Sequence, residues 1–309
     1  MENLQFLIIV LLSPLVQGVI KKVKAYSQGR VGAGVLQPYY DLYRLFKKDM
    51  VVSETASWVF HAAPFVVFAS TAAAAAMAPV FSAGGGFLAG MGDVVAIIYT
   101  LALGRFFMAL AGLDTGTAFG GEGSSREMTV AILVEPMMML AIFTSAVAGG
   151  STSLPAIARS GSVFYSPAHI LAFAAFFIAV IAETGRVPVD NPDTHLELTM
   201  IHEGMLLEYS GRYLALMEWA HYAKQMLLFT LAADLFFPYG LSGGAGGAGG
   251  GGFLAAFLLY MAKVLGLSLL VALFESSRAK MRFFQLPSLL GGAFVLSFLS
   301  VMTFIMMGR

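Results

Sequence analysis

Eight predominantly apolar runs constrain what this chain can fold into more than any other feature of its sequence. A helix needs about 20 such residues to cross roughly 30 Å of hydrocarbon. The runs cover residues 3–20, 58–81, 92–112, 129–149, 164–182, 213–237, 253–274 and 287–307. Hydrophobic residues make up 58% of the chain and charged residues only 12%, so lipid is the solvent for most of it. The sequence therefore predicts an all-α integral membrane protein with about eight transmembrane helices.

The distribution of Lys and Arg predicts how these helices are oriented. Thirteen of the 18 Lys and Arg residues lie in four connecting segments, at residues 21–57, 112–128, 183–212 and 275–286. Arg159 and Arg309 lie on the opposite side, and the other three lie within the apolar runs. Because cytoplasmic loops carry the excess of Lys and Arg, the four segments are predicted to be cytoplasmic and both termini to lie outside.

Cysteine labelling tests this topology. The chain contains no cysteine, so single cysteines can be introduced at Ser242 and at Ser277 without background labelling. A reagent that does not cross lipid should label the two positions from opposite sides of the membrane. Labelling of both positions from the same side would contradict the eight-helix arrangement.

The chain is predicted to form a single membrane domain over residues 1–309, with two structured cytoplasmic segments. Residues 21–57 contain glycines followed by an amphipathic stretch with tyrosines at helical spacing. This pattern favours either an interfacial helix or a docking surface for a soluble partner. Residues 242–252 are rich in glycine and carry no charge, which predicts a flexible outer loop.

The second cytoplasmic segment, residues 183–212, threads acids and bases among apolar residues. Thr194 followed by Glu197 has the spacing of a capping box, which predicts a helix that begins near His195. A solvated loop would explain the charges but not the apolar residues between them. We therefore interpret this segment as a second docking surface.

Several charged residues fall within or close to the apolar runs. An ionised side chain near the bilayer centre costs about 2.5–3.5 kcal/mol, so each one requires a partner or a function. Carboxylates and lysines in such a setting acquire shifted pKa values and can pass protons along a chain of waters. The proton-path candidates are Glu135, Glu183, Glu203, Glu208, Glu218 and Lys263.

Structural ion pairs are the alternative explanation for these buried charges. The favoured partners are His221 or Lys224 for Glu218, and Arg126 or Arg186 for Glu135 and Glu183. Lys263 has no acid near it in sequence, so its partner is expected on another helix.

Residues 182–212, AETGRVPVDNPDTHLELTMIHEGMLLEYSGR, resemble the signature loop of the large membrane-arm subunit that respiratory complex I shares with membrane-bound NiFe hydrogenases. The supporting matches are Gln28, Arg30, Gly32, residues 36–38, GLDTGTAFGGEGSSRE at residues 112–127, Glu135 and, more loosely, ESSRAKMR at residues 275–282. Asp190-Asn191-Pro192, His195 and His202 are more similar to the branch of formate hydrogenlyases, hydrogenase-4 and energy-converting hydrogenases.

The resemblance implies a membrane-anchoring and proton-coupling subunit of an oxidoreductase complex in the cytoplasmic membrane of a prokaryote. The implied partners are the hydrogenase large and small subunits, an iron–sulfur protein, antiporter-like membrane subunits and lipid, and no nucleic acid. The implied docking residues are Gln28, Arg30, Gln37, Arg126, Arg186, Asp190, Asp193 and Glu197.

No catalytic centre, cofactor or metal site is expected in this chain itself. The absence of cysteine excludes cysteine-ligated iron–sulfur clusters from it. The resemblance implies that the NiFe centre and the iron–sulfur clusters lie in the partner subunits.

Two other functions agree with parts of the sequence. A quinone-site subunit of a complex I-like dehydrogenase would have the same signature region. An independent secondary transporter would also have buried charges and helices interrupted by glycine. The acid-rich segment at residues 183–212 argues against the transporter, because a protein that only alternates access has no need of it.

Overall fold

The computed structural model describes residues 5–80, 92–159, 166–190, 200–239 and 250–307, and within these ranges the chain forms helices and no strand. The helices are α1 (Gln5–Ser27), α2 (Gln37–Lys47), α3 (Trp58–Met77), α4 (Val94–Asp114), α5 (Ala118–Gly149), α6 (Leu154–Arg159), α7 (Pro167–Glu183), α8 (His202–Leu206), α9 (Gly211–Phe236), α10 (Gly250–Ser277) and α11 (Leu286–Met307). The predicted docking residues Asp193 and Glu197 lie outside the described residues.

Each predicted apolar run corresponds to one long helix. Six helices in the described part of the chain are long and apolar enough to cross a membrane, namely α1, α3, α4, α5, α10 and α11. The apolar helix α7 has only 17 residues, and α9 carries four charged residues along its 26. The all-α membrane fold is confirmed, whereas eight crossings and outward termini stay predictions.

Helix α9 lies at the centre of the bundle, where it contacts α1, α2, α3, α7 and α10. Every residue from Gln225 to Phe236 is buried. A helix that is surrounded by protein tolerates ionisable side chains that a lipid-facing helix would not, because neighbouring helices supply their partners. This position explains why the most charged of the long apolar runs can still be a helix of the core.

The motif at residues 112–127 forms the turn between α4 and α5 and the first part of α5. The Asp114 carboxylate accepts the backbone N–H of Ser57 at 2.7 Å, which holds the end of α4 against the start of α3. Thr117 caps α5 by accepting the N–H of Gly120 at 3.3 Å. Helix α5 therefore starts 11 residues before the predicted run, and residues 118–128 are helical rather than a connector.

The segment at residues 183–212 folds differently from the prediction in its described part. Met200 and Ile201 are not helical, and α8 covers only His202–Leu206. The backbone N–H groups of Ile201 and His202 each donate to Oδ2 of Asp190 at 3.2 Å. Asp190 thus satisfies donors at the start of α8 that a longer helix would have bonded itself. The prediction of a continuous helix from His195 is therefore wrong for the described residues, 200–212.

The predicted outer loop at residues 242–252 is only partly described. Helix α10 begins at Gly250, so the last three residues of that loop are helical instead. Residues 242–249 lie outside the described residues.

Gly18 is the point where the first cytoplasmic segment packs closely against α1. A Cβ at Gly18 would overlap the backbone carbonyl of Val35, whereas a Cβ at Gly34 would meet nothing within 4 Å. Gly18→Ala should therefore destabilise the chain by about 1–3 kcal/mol, the usual cost of overpacking. Thermal unfolding of the purified chain measures this effect, with Gly34→Ala as the matched control. Equal melting temperatures for the two variants would contradict the close approach.

Candidate proton-transfer site

Five charged side chains meet between α4, α5, α7 and α9, and we call them the central cluster. Arg105 lies in the middle: its Nη1 donates to Oε1 of Glu135 at 2.8 Å, and its Nη2 donates to Glu183. Its Nε lies 3.8 Å from Oε1 of Glu127. Lys224 approaches Glu183 from α9, with its Nζ 2.7 Å from the Oε1 oxygen. Arg105 and Glu183 are both buried.

The turn after α7 fixes the position of Glu183, which is the last residue of that helix. Gly185 adopts a left-handed φ of 54°, and the N–H of Arg186 donates to the carbonyl of Ile181 at 3.0 Å. These two features define a Schellman motif, in which glycine accepts the left-handed conformation without strain. The motif ends α7 abruptly and leaves Glu183 beside Arg105.

The central cluster does not balance its own charge. It contains three carboxylates and two cations, so it carries one net negative charge when every group is ionised. Burying ionised groups is costly unless each is paired and hydrogen-bonded. One bound proton would neutralise the cluster, which is the property expected of a site that takes up and releases a proton.

Two histidines lie next to Lys224. The rings of His202 and His221 have centroids 4.4 Å apart and an interplanar angle of 38°. Desolvation lowers the pKa of His202, and the positive charge of Lys224 lowers it further. The shift favours the neutral imidazole, in which one ring nitrogen is a hydrogen-bond acceptor. A cavity of about 30 Å³ lies between the two histidines, Lys224 and Arg105. This volume is enough to hold a water molecule.

A larger cavity continues from His221 towards the C-terminal end of α1. It has a volume of about 250 Å³, and we call it the acidic cavity because Asp41, Glu203 and Glu218 line it. His221 lines both this cavity and the small one beside Lys224. His221 is therefore the residue shared by the acidic cavity and the small cavity, which Lys224 and Arg105 of the central cluster also line.

Glu135 ends this row on the other side of the central cluster. Its side chain is 34% exposed on the surface of α5, although its carboxylate is bound to Arg105. We use the term polar row for the sequence of groups from the acidic cavity through the histidines and the central cluster to Glu135. The polar row connects the acidic cavity near the C-terminal end of α1 with the exposed face of α5.

The structure assembles only some of the predicted proton-path residues. Glu135, Glu183, Glu203 and Glu218 belong to the polar row. Glu208 is partly exposed after α8 and lies outside the row. Lys263 donates from α10 to the carbonyl of Tyr239 beyond the end of α9, and so lies away from the row.

The predicted ion-pair partners are corrected in two respects. His221 or Lys224 is the predicted partner of Glu218, but the 2.7 Å contact of Lys224 is with Glu183. Arg126 or Arg186 was expected to neutralise Glu183, but Arg105 does so. Both errors have the same cause, because the true partners come from different helices and are far apart in sequence.

Arg186, a predicted docking residue, is 3% exposed and lies inside the bundle. Its Nη1 lies 3.3 Å from Oε2 of Glu275, and its Nη2 donates to Gln17 and, at 2.7 Å, to Oε1 of Gln225. It therefore joins the end of α7 to α1, α9 and α10. The contacts of the Arg186 guanidinium described here are therefore within the chain. The role of Arg186 in docking a partner stays a prediction.

Three other predicted docking residues lie in the first cytoplasmic segment. Gln28 and Arg30 are exposed, and the guanidinium of Arg30 donates to the Gln28 amide oxygen. Gln37 donates to Asp41 at 2.8 Å and is partly buried. Gln28 and Arg30 thus have the accessibility that docking requires.

The last two described docking candidates, Arg126 and Asp190, hold the segment before α8 in place. Arg126 donates to the carbonyl of Met200 at 3.0 Å and pairs with Glu122 at 2.5 Å. Asp190 is 2% exposed and lies 3.5 Å from Nζ of Lys280. Asp190 is therefore an internal residue of the chain.

The proton-path candidates predicted from the sequence omit six residues of the polar row, namely Asp41, Arg105, Glu127, His202, His221 and Lys224. Arg105 gave the clearest signal, since it is the one cation within the run at residues 92–112. Such a residue needs a polar partner, which can be a carboxylate on another helix. The histidines gave a weaker signal, because a histidine is found both in packed cores and in proton transfer.

Comparison with known proteins identifies the class of molecule in which this row lies. Residues 1–307 match the NADH dehydrogenase family. The chain belongs to this family. The chain is therefore a membrane subunit of an oxidoreductase complex of the complex I and hydrogenase kind.

Two relatives of this NADH dehydrogenase family member come from Escherichia coli (strain K12). The chain is 37% identical to hydrogenase-4 component C over an alignment of 281 residues. This alignment covers 90% of this chain and 87% of that protein. The chain is 32% identical to formate hydrogenlyase subunit 4 over an alignment of 302 residues. This alignment covers 96% of this chain and 95% of that protein. The predicted family and its hydrogenase branch are thereby confirmed.

A solved structure shares the fold of this NADH dehydrogenase family member. It is a chain of the membrane-bound sulfane sulfur reductase, an archaeal respiratory membrane complex, with a TM-score of 0.81. The alignment covers 97% of this chain and 96% of that chain at 18% identity. The likeness shows a common arrangement of helices.

Proposed function

We propose that this chain anchors a membrane-bound NiFe hydrogenase of the formate hydrogenlyase or energy-converting type and couples its redox chemistry to proton movement. The observation that carries the proposal is the polar row, which joins the cytoplasmic half of the chain to the outer face of α5. The similarity to hydrogenase-4 component C and formate hydrogenlyase subunit 4 supports the hydrogenase branch.

In this proposal the acidic cavity receives protons on the side of the soluble redox subunits. Glu203 and Glu218 supply carboxylates at the cavity wall, and His221 passes protons on towards Lys224. A water in the 30 Å³ cavity can bridge the histidines and the central cluster. The single excess negative charge of the cluster makes it the place where a proton is held.

Glu135 is the proposed exit of the polar row. Its side chain is 34% exposed near the middle of α5, a helix of 32 residues that is apolar enough to cross a membrane. A carboxylate in contact with lipid at this depth would be costly. A neighbouring antiporter-like membrane subunit that covers this face would remove that cost and accept the proton.

In this proposal the NiFe centre and the iron–sulfur clusters lie in partner subunits. The chain itself lies in the cytoplasmic membrane of a prokaryote. The partners are the hydrogenase large and small subunits, an iron–sulfur protein and antiporter-like membrane subunits. Gln28 and Arg30 are the exposed candidates for contacts with the soluble ones. The chain supplies attachment and proton transfer and has no catalytic centre of its own.

Affinity purification from the native membrane tests this function. A tagged chain should bring down soluble subunits, and the purified complex should contain nickel and iron and evolve hydrogen with an artificial electron donor. A complex with iron but without nickel that reduces a quinone would favour the complex I-like alternative. Purification of the chain alone would favour a secondary transporter, and either result would contradict the proposal.

A further inference from the structure

A third cavity, of about 440 Å³, lies beside the C-terminal end of α1, and we call it the basic cavity. Its cations are Lys21, Lys24, Arg30 and Arg186. They come from three places in the chain: α1, the turn after α1 and the turn after α7. None of the residues lining it in the described part of the chain is an Asp or a Glu.

The lining of this cavity carries four cations, two of which, Lys21 and Arg186, also line the neighbouring acidic cavity. One carboxylate, Glu275, lies 3.7 Å from Lys24 and 3.3 Å from Arg186. Arg30 is bonded to the neutral side chain of Gln28. Within the described residues, neither Lys21 nor Arg30 has a carboxylate partner. Four cations around one space repel one another unless an anion joins them.

The basic cavity differs from the neighbouring acidic cavity in both charge and size. The two share Gln17, Lys21 and Arg186, but carboxylates line only the acidic one. A volume of about 440 Å³ lies within the range of small-molecule sites and far exceeds what a single water needs. The cavity is therefore suited to a polyatomic anion.

We propose that the basic cavity binds a phosphate-type oxyanion, supplied by the headgroup of an anionic phospholipid or by free phosphate. Arginine offers a planar fork of donors to phosphate oxygens, and lysine offers a point charge. The amides of Gln17 and Gln28 can donate to further oxygens. Arg186, which is 3% exposed, is held in place by Glu275 and two glutamines and forms the fixed wall of the site.

The surroundings of the cavity favour the lipid source. The cavity adjoins the end of α1, a helix that is apolar enough to cross a membrane and that ends in a lysine cluster. Helix α2 follows it in the chain and exposes Tyr40 and Tyr43, as an interfacial helix does. Basic residues at this level attract anionic headgroups. The site shares Gln17, Lys21 and Arg186 with the acidic cavity, but it is argued from its own cations and does not rest on the proposed function.

Thermal unfolding of the purified full chain in a neutral detergent tests the site. The probes are dioleoylphosphatidylglycerol, dioleoylphosphatidylcholine and inorganic phosphate, at matched ionic strength. Phosphatidylglycerol should raise the melting temperature well above the value in phosphatidylcholine, because a ligand of the folded state stabilises it. The Lys21→Gln/Arg30→Gln variant should lose most of this rise, with an affinity about tenfold lower for each cation removed.

The matched control is Lys47→Gln/Lys48→Gln, which removes two exposed cations of the same cytoplasmic segment that do not line the cavity. It should keep the full response to phosphatidylglycerol. A comparable rise with inorganic phosphate, lost in the cavity variant, would support the site with free phosphate as the source. An equal loss in both double variants would show general surface attraction and overturn the proposal.

Two further measurements keep the test decisive. The single variant Arg30→Gln changes an exposed side chain, so it should fold even if the double variant does not. Native mass spectrometry of the parent chain should show retained phosphatidylglycerol, which excess phosphatidylcholine does not displace. No response of the parent to either phosphatidylglycerol or phosphate would overturn the proposal.

Discussion

Arg105→Met should destabilise the folded chain by about 3–5 kcal/mol, the usual cost of removing one partner of a buried ion pair. Arg105 is bound to Glu135 and Glu183 and lies 3.8 Å from Glu127, so its loss leaves three carboxylates with only Lys224. Methionine keeps much of the side-chain volume, and the charge is the main change. Thermal unfolding of the purified chain and its level in membranes measure the effect.

Two further variants separate the lost charge from a general effect of substitution. Arg44→Met removes an exposed cation of α2 and should change stability by no more than about 0.5 kcal/mol. Glu183→Gln in the Arg105→Met background should recover part of the loss, because it removes one uncompensated charge. If the Arg105→Met and Arg44→Met variants had the same melting temperature, the role of Arg105 in the central cluster would be contradicted.

His221→Phe should block the polar row while leaving the complex assembled. His221 lines both the acidic cavity and the small cavity beside Lys224, so it is the group that joins them. Phenylalanine fills the space but cannot carry a proton. Activity that generates or depends on an ion gradient should fall by about 100-fold, the low end of what a positioned acid–base group contributes. Hydrogen chemistry with an artificial electron donor should stay close to the parent.

The control for this variant is His61→Phe. His61 lies in another part of the chain, 3.1 Å from the hydroxyl of Tyr213 and outside the polar row. It should leave gradient-linked activity unchanged. Equal gradient-linked activity in His221→Phe and the parent would show that protons do not pass through His221.

The helices of this protein could be predicted from its sequence because lipid imposes a simple requirement. A run of about 20 apolar residues is enough to indicate a crossing helix, and every predicted run became a helix. The start of α5 could not be predicted from hydropathy. Thr117 caps the helix, and its first turns contain glycines and polar residues that precede the apolar run. The short α8 was also missed, because the donors at its start are satisfied by Asp190, which is 11 and 12 residues away in sequence.

The candidate site was predictable in kind but not in its pairings. Glu135 and Glu183 were recognisable because a carboxylate in or beside an apolar run needs an explanation. Their shared partner, Arg105, is 30 residues from one and 78 from the other, and no local spacing connects them. Lys263 met the same criterion as Arg105, yet it bonds to a carbonyl beyond α9 instead of joining the row. Burial shows that a charge needs a partner, and only the packing of helices shows which.

Proton movement into or out of sealed vesicles, measured per hydrogen molecule formed, tests the central claim most directly. The complex should be compared with its Glu183→Gln and Glu135→Gln variants, which keep the side-chain shape and remove the charge. Glu208→Gln is the control, because Glu208 lies outside the polar row. We expect the parent and the control to move protons, whereas both other variants should evolve hydrogen with an artificial donor but move none. Proton movement by both variants at the parent's ratio would contradict it.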